Sequence, residues 1–138
     1  MEQQLNWLIT GGCGFIGSNL IFNLMKDPEN RIRVIDKQVF GSPYLPIFGQ
    51  GSSGIDHAHD KKRNWLLPLQ IFNEDIVNSN QINALTDGAH IVVHLAANTG
   101  VFPSLENPKL DLENNVLGTF NVLKAASQNN VRRFIFAS

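Results

Sequence analysis

Apolar runs and helical spacings alternate along this chain. Residues 5–10 (Leu-Asn-Trp-Leu-Ile-Thr) form an apolar run of strand length. Residues 15–26 carry Ile16, Leu20 and Leu24 at the four-residue spacing of a helix, which Pro28 stops. A second strand is predicted over 31–36, ending in Asp36, and a third over 69–72. A short helix follows at 79–85, closed by Asp87-Gly88. The run 90–95, with Ile91-Val92-Val93 at its centre, shows no polar alternation, as expected of a strand in a parallel sheet covered on both faces. The longest helix starts at Asn107-Pro108, with Asn107 as N-cap and Pro108 in the first turn, and runs to about Gln128. Asp111 and Glu113 lie near its positive end. Asn129-Asn130 end it, and 133–137 predict a fifth strand.

Strands separated by helices require right-handed crossovers, so the predicted fold is α/β, a doubly wound parallel sheet. The expected strand order is 3-2-1-4-5, with a ligand crevice at the carboxyl ends of strands 1 and 4. Residues 37–68 interrupt the alternation with Gly41-Ser42-Pro43 and Gly49-Gln50-Gly51-Ser52-Ser53-Gly54. They read as an irregular loop insertion within one domain, either a solvated connection or a segment that contacts substrate.

Composition narrows the setting. With 138 residues, 43% of them hydrophobic and 17% charged, the chain has material for one globular core. A net charge of −1 gives no basic footprint for nucleic acid or an anionic membrane, and neither is expected as a partner. No apolar stretch approaches the roughly 20 residues that span a bilayer. The single cysteine, Cys13, excludes an intrachain disulfide, which fits a reducing cytoplasm.

The candidate chemistry starts at Thr10-Gly-Gly-Cys-Gly-Phe-Ile-Gly17, between the first strand and the first helix. Gly12, Gly14 and Gly17 fit G-x-G-x-x-G, while Gly11, Gly14 and Gly17 fit G-x-x-G-x-x-G. Glycines let the backbone approach a pyrophosphate, and the helix N-terminus supplies N–H groups and a positive dipole end. Cys13 is a small residue of this loop, or a thiol made reactive by the helix terminus. Asp36 ends the second strand 19 positions after Gly17, where a carboxylate can accept from both hydroxyls of an adenosine ribose and repel a 2′-phosphate. That favours NAD over NADP, while Lys37 is a cation able to hold a 2′-phosphate. Asp75-Ile76 follows the third strand, where an Asp can accept from the adenine amino group and the Ile backbone can meet the ring edge. Ala96 and Ala97, after His94-Leu95, leave room for a ligand near the backbone, and His94 reads as a hydrogen-bonded core histidine. His57 and His59 form an H-x-H pair without two further ligands at zinc spacing, so no metal is expected. Gly118 costs about 1 kcal/mol in a helix relative to Ala, which close packing against the sheet explains. Asn115 is read as an inward amide that must be hydrogen-bonded, to the backbone of the fourth strand.

Together these pieces, with Asn115-Val-x-Gly-Thr119 and Arg133-Phe-Ile-Phe-Ala-Ser138, resemble the extended short-chain dehydrogenase/reductase family in its NAD-dependent epimerase/dehydratase branch, whose cofactor domain is Rossmann-type. The resemblance implies that Gly11, Gly14, Phe15, Ile16 and Gly17 hold the pyrophosphate, Asp36 with Lys37 beside it the adenosine ribose, and Asp75 and Ile76 the adenine. It implies that Leu95, Ala96 and Ala97 line the path to the nicotinamide ribose, and that Asn115 ties the long helix to the fourth strand. Thr99 and Ser104 lie where such enzymes approach nicotinamide or substrate. The implied activity is transient hydride transfer at a carbon of a nucleotide sugar, in a parent enzyme expected to be a homodimer.

The family's chemistry uses a Tyr-x-x-x-Lys pair, and this chain has one tyrosine, Tyr44, with Phe48 four residues on. No catalytic residue is therefore assigned here. The chain reads as the cofactor half of a longer enzyme, without the last sheet strands and the sugar-binding domain, and inactive alone. Two rival readings stand beside it: a non-catalytic NAD(P)-binding redox sensor, and a related reductase acting on a steroid or flavonoid-type substrate.

Overall fold

The computed structural model describes residues 3–37 and 65–137. Five strands form one parallel sheet: β1 (Leu5–Thr10), β2 (Asn30–Asp36), β3 (Leu69–Asn73), β4 (Ile91–His94) and β5 (Arg133–Phe136). Their order across the sheet is β3-β2-β1-β4-β5, as the strand and helix alternation predicts. Strand alternation sends neighbouring apolar residues to opposite faces. Leu8, Ile35 and Val92 pack on one face with Ile82 of α2 (Ser79–Thr86) and Val122 of α5 (Thr119–Gln128). Ile9, Val34 and Val93 pack on the other with Ile21 of α1 (Phe15–Leu24). Burial on both sides is why the strands read as continuous apolar runs.

β1 lies in register with both β2 and β4, pairing Thr10 with Ile35 and with His94. The strand order turns at β1, so the chain leaves β1 and β4 toward opposite sides and a crevice opens at their carboxyl ends. Arg33, buried in β2, closes the far end. Its guanidinium donates to the carbonyls of Leu85, in the last turn of α2, and of Asp87, just past it, and lies 4.0 Å from the centre of the Trp65 ring.

Two features after β4 depart from the predicted single helix over 107–128. A separate turn of helix, α3 (Val101–Glu106), precedes it. The rest is three pieces: α4 (Pro108–Asp111), a π-helical segment (Leu112–Gly118) and α5. Pro108 does open α4, but the Asn107 side chain makes no capping bond. The glycine at 118 packs on Ile76, in the connection between β3 and α2, rather than on the sheet. A Cβ there would sit 2.4 Å from Ile76 Cδ1. Asn130 ends α5 in the left-handed region (φ 53°), which asparagine tolerates better than most residues. The predicted loop insertion over 37–68, with Tyr44, His57 and His59, falls outside the described residues except at 37 and 65–68, and Ser138 falls outside them too.

Candidate functional site: the cleft at the carboxyl ends of β1 and β4

A cleft of about 570 Å³ occupies the crevice. Three walls build it: the β1–α1 loop, the ends of β2 and β3, and the segment after β4. Of the sequence-predicted residues, Gly11, Gly14, Phe15, Ile16 and Gly17 line the first wall. Asp36, Lys37, Asp75 and Ile76 line the second, and Leu95, Ala96, Ala97 and Thr99 the third. Ser104 and Asn115 lie outside the lining. Ser104 sits in α3 and donates to the Gly100 carbonyl at 2.7 Å.

The glycines of the loop have different duties. Gly11 has φ +70°, and a Cβ there would meet the Ala96 backbone nitrogen at 2.7 Å. At Gly12 a Cβ would strike Val34, and at Gly17 it would strike the Gly12 backbone at 2.5 Å. These three let β1, β2, α1 and the β4 exit pack together. Gly14 is different: its φ is −78°, and a Cβ would meet only the Gly11 carbonyl oxygen, at an ordinary 3.4 Å. The fold tolerates a side chain there, and the cleft is what that side chain would fill. Gly14 is also the N-cap of α1, whose first amides have no acceptor within the helix. A backbone that can be approached closely, at the positive end of a dipole, is an anion cradle.

Asp36 does more than face the cleft. Its Oδ2 accepts from the Cys13 backbone N–H at 2.9 Å, so the carboxylate ties the glycine loop to the end of β2. Cys13 is correspondingly no exposed thiol. Its side chain is 3% exposed, and burial together with the Asp36 charge pushes the thiol up to about 12. The reactive-cysteine reading is thereby overturned, because the thiolate is the nucleophile and this site suppresses it.

The two asparagines of the π-helical segment divide the work that was expected of Asn115. Asn115 is half-buried and pairs with the backbone of Asn98, accepting from its N–H (2.7 Å) and donating to its carbonyl (3.1 Å). That tie lies four residues past the end of β4, not on the strand itself. Asn114 is the buried one and lines the cleft. It accepts from the Lys37 ammonium at 3.1 Å, and Lys37 also pairs with Asp75 at 3.7 Å. Sequence reading missed Asn114, Glu74 and Asn98 as lining residues; for Asn114 the signal was a second inward asparagine one position from the predicted one.

His94 is the core histidine that the pattern of β4 predicts. It is 1% exposed, with Nδ1 2.6 Å from the Thr10 hydroxyl and Nε2 2.9 Å from the Thr119 hydroxyl. Thr10 in turn accepts from the Ala96 N–H, so this chain of contacts fixes the floor of the cleft. Burial pushes the imidazole down to about 4, from an ordinary 6.5. The unfolded chain therefore takes up a proton near 6.5 and the folded one only near 4. Stability is expected to fall as pH drops through that window, by about 3 kcal/mol for this group. Urea midpoints taken across it check this: His94→Gln should flatten part of the slope, and an unchanged slope would contradict the assignment.

Among the described residues no group of His, Cys, Asp and Glu side chains is arranged to hold a metal ion, and no helix is long and apolar enough to cross a membrane.

A five-stranded parallel sheet in this order, with its cleft at the point where the order reverses, defines an α/β domain of the Rossmann type. Residues 7–138 match the model of the NAD dependent epimerase/dehydratase family, and the chain belongs to that family. It is 30% identical over 140 residues to human 3 beta-hydroxysteroid dehydrogenase type 7, covering 99% of this chain and 33% of that protein. It is 31% identical over 126 residues to dTDP-glucose 4,6-dehydratase of Mycobacterium tuberculosis, covering 91% and 34%. The solved UDP-N-acetylglucosamine 4-epimerase of Methanobrevibacter ruminantium M1, in complex with UDP-N-acetylmuramic acid, superimposes with a TM-score of 0.75 at 27% identity, covering 99% of this chain and 38% of that one. The chain thus spans about a third of the length of the curated relatives it matches.

Proposed function

We propose that this chain is the dinucleotide-binding part of an NAD-dependent enzyme that epimerises or dehydrates a nucleotide sugar. The observation that carries the reading is the pairing, in one cleft, of an unobstructed Gly14 at a helix N-terminus with the Asp36 carboxylate at the neighbouring strand end. These residues fit NAD. The glycine loop takes the pyrophosphate, Asp36 the adenosine ribose, Asp75 and the Ile76 backbone the adenine, and Leu95 to Ala97 and Thr99 the nicotinamide side. When bound, NAD accepts a hydride from a sugar carbon and returns it. The residues of this chain bind and orient it, and the proton-transferring groups belong to the rest of the protein. Asp36 argues for NAD rather than NADP, since a 2′-phosphate would face a carboxylate. Exposed Val116 on the π-helical segment and Phe120 and Leu123 on α5 form an apolar face that a second copy would bury in the expected homodimer. The lone cysteine fits a cytoplasmic enzyme.

The human dehydrogenase relative favours a second reading, an NAD(P)-dependent enzyme acting on a 3β-hydroxysteroid. Incubating the whole protein with NAD and either UDP- or dTDP-hexoses or a 3β-hydroxysteroid separates the two. Conversion of the nucleotide sugar to its epimer or 4-keto-6-deoxy product, without net NADH release, is the expected result. Net NADH formation with the steroid alone would overturn it. Dinucleotide binding with no turnover of either would favour the non-catalytic module.

A further inference from the structure

Among the described residues, Lys37 is the one cation lining the adenosine end of the cleft, and its charge argues for NADP. Its position resolves that conflict. Asp36, the last residue of β2, turns toward the β1–α1 loop, where it holds the Cys13 amide. Lys37 goes the other way. Its ammonium donates to Asn114 Oδ1 at 3.1 Å and lies 3.7 Å from Asp75 Oδ2. Asn114 is itself fixed, being buried and donating through Nδ2 to the Leu110 carbonyl at 2.9 Å. Asp75 is fixed as well, because its Oδ1 accepts from the Val77 N–H at 3.1 Å. Two segments distant in sequence, one carrying Asp75 and one carrying Asn114, thus converge on the Lys37 ammonium and draw it toward the π-helical segment.

We propose that Asp75 and Asn114 are specificity residues: they hold Lys37 away from the adenosine 2′ position and so exclude NADP. The inference rests on the dinucleotide reading of the cleft. Asp36 repels a 2′-phosphate directly, while Asp75 and Asn114 remove the cation that would have compensated. A salt bridge between half-exposed groups contributes little by itself, so the buried Asn114 acceptor carries much of the restraint.

The test compares NADH and NADPH affinities of the whole protein by titration of the reduced nicotinamide fluorescence. Any contact of Asp75 with adenine is common to both cofactors and cancels in the ratio of their dissociation constants. Asp75→Asn keeps the acceptor for the Val77 amide and removes the charge. Combined with Asn114→Ala, it is expected to shift the ratio toward NADPH by about five- to tenfold. Adding Lys37→Met should abolish the shift, because the freed cation is what produces it. An unchanged ratio in the double variant overturns the proposal, as does an equal shift in the triple variant. If the double variant fails to fold, Asp75→Asn with and without Lys37→Met gives the same comparison at smaller amplitude. Failure of the wild type to bind either nucleotide would instead refute the dinucleotide reading itself.

Discussion

Gly14→Val is expected to weaken NADH binding by about a hundredfold or more while the protein still folds, since hydrogen bonds from backbone to a charged phosphate are worth about 1.5–3 kcal/mol each. The two halves of this expectation come from one geometry. Position 14 lines the cleft at the start of α1, and a Cβ there has no protein neighbour nearer than the Gly11 carbonyl oxygen at 3.4 Å. The added Cβ therefore clashes with nothing, valine costs about 1 kcal/mol as an N-cap, and the side chain occupies the space a pyrophosphate needs. Gly14→Ala, the smallest change, keeps the fold safe and should still weaken binding. Gly17→Ala is the contrasting control. Its Cβ would lie 2.5 Å from the Gly12 backbone, so it should lower the melting temperature before it reports anything about a ligand. Calorimetry or NADH fluorescence is the suitable readout, because neither Trp7 nor Trp65 lines the cleft. Unchanged affinity in a folded Gly14→Val variant would mean that the loop is not the anion site.

Removing the Asp36 charge is expected to weaken NADH binding by about tenfold and to narrow the gap between NADH and NADPH. The choice of variant matters, because the carboxylate has two tasks. Asp36→Ala would also release the Cys13 amide, loosening the glycine loop and weakening both cofactors together. Asp36→Asn keeps an acceptor for that amide and removes only the charge. The ratio of affinities then isolates the effect at the ribose. A ratio unchanged in Asp36→Asn would show that Asp36 serves the loop and not the ribose.

Much of this site was legible in the sequence because its parts follow strand ends. A continuous apolar run marks a strand buried on both faces, and whatever follows it lies at the carboxyl edge of the sheet. That placed Gly11–Gly17, Asp36, Asp75 and Ala96 on one rim without any knowledge of three-dimensional contacts. What stayed hidden was decided by tertiary contact. The π-helical segment over Leu112–Gly118 leaves no signature in apolar spacing; its extra residue per turn accompanies contacts made from 114, 115 and 118 to three separate segments. A regular α-helix phase assigned the burial to Asn115, one position from Asn114. Helix α3 was invisible because Val101, Phe102 and Leu105 are all exposed and show no polar face to contrast with a buried one. The direction of the Cys13 side chain depended on how the glycine turn is wound, and it is packed with Ile9 and Val34 rather than presented to the helix terminus. Lys37 was ambiguous for the same reason: its meaning lay in Asn114, 77 residues away.

The dinucleotide assignment of the cleft is tested most directly by where NAD lies in a crystal structure of the whole protein grown with the cofactor. Pyrophosphate density is expected against the backbone of Gly11–Gly17, with the adenosine ribose at Asp36 and the adenine beside Asp75. Density for the dinucleotide elsewhere, with the cleft at the ends of β1 and β4 left to solvent at saturating NAD, would contradict it.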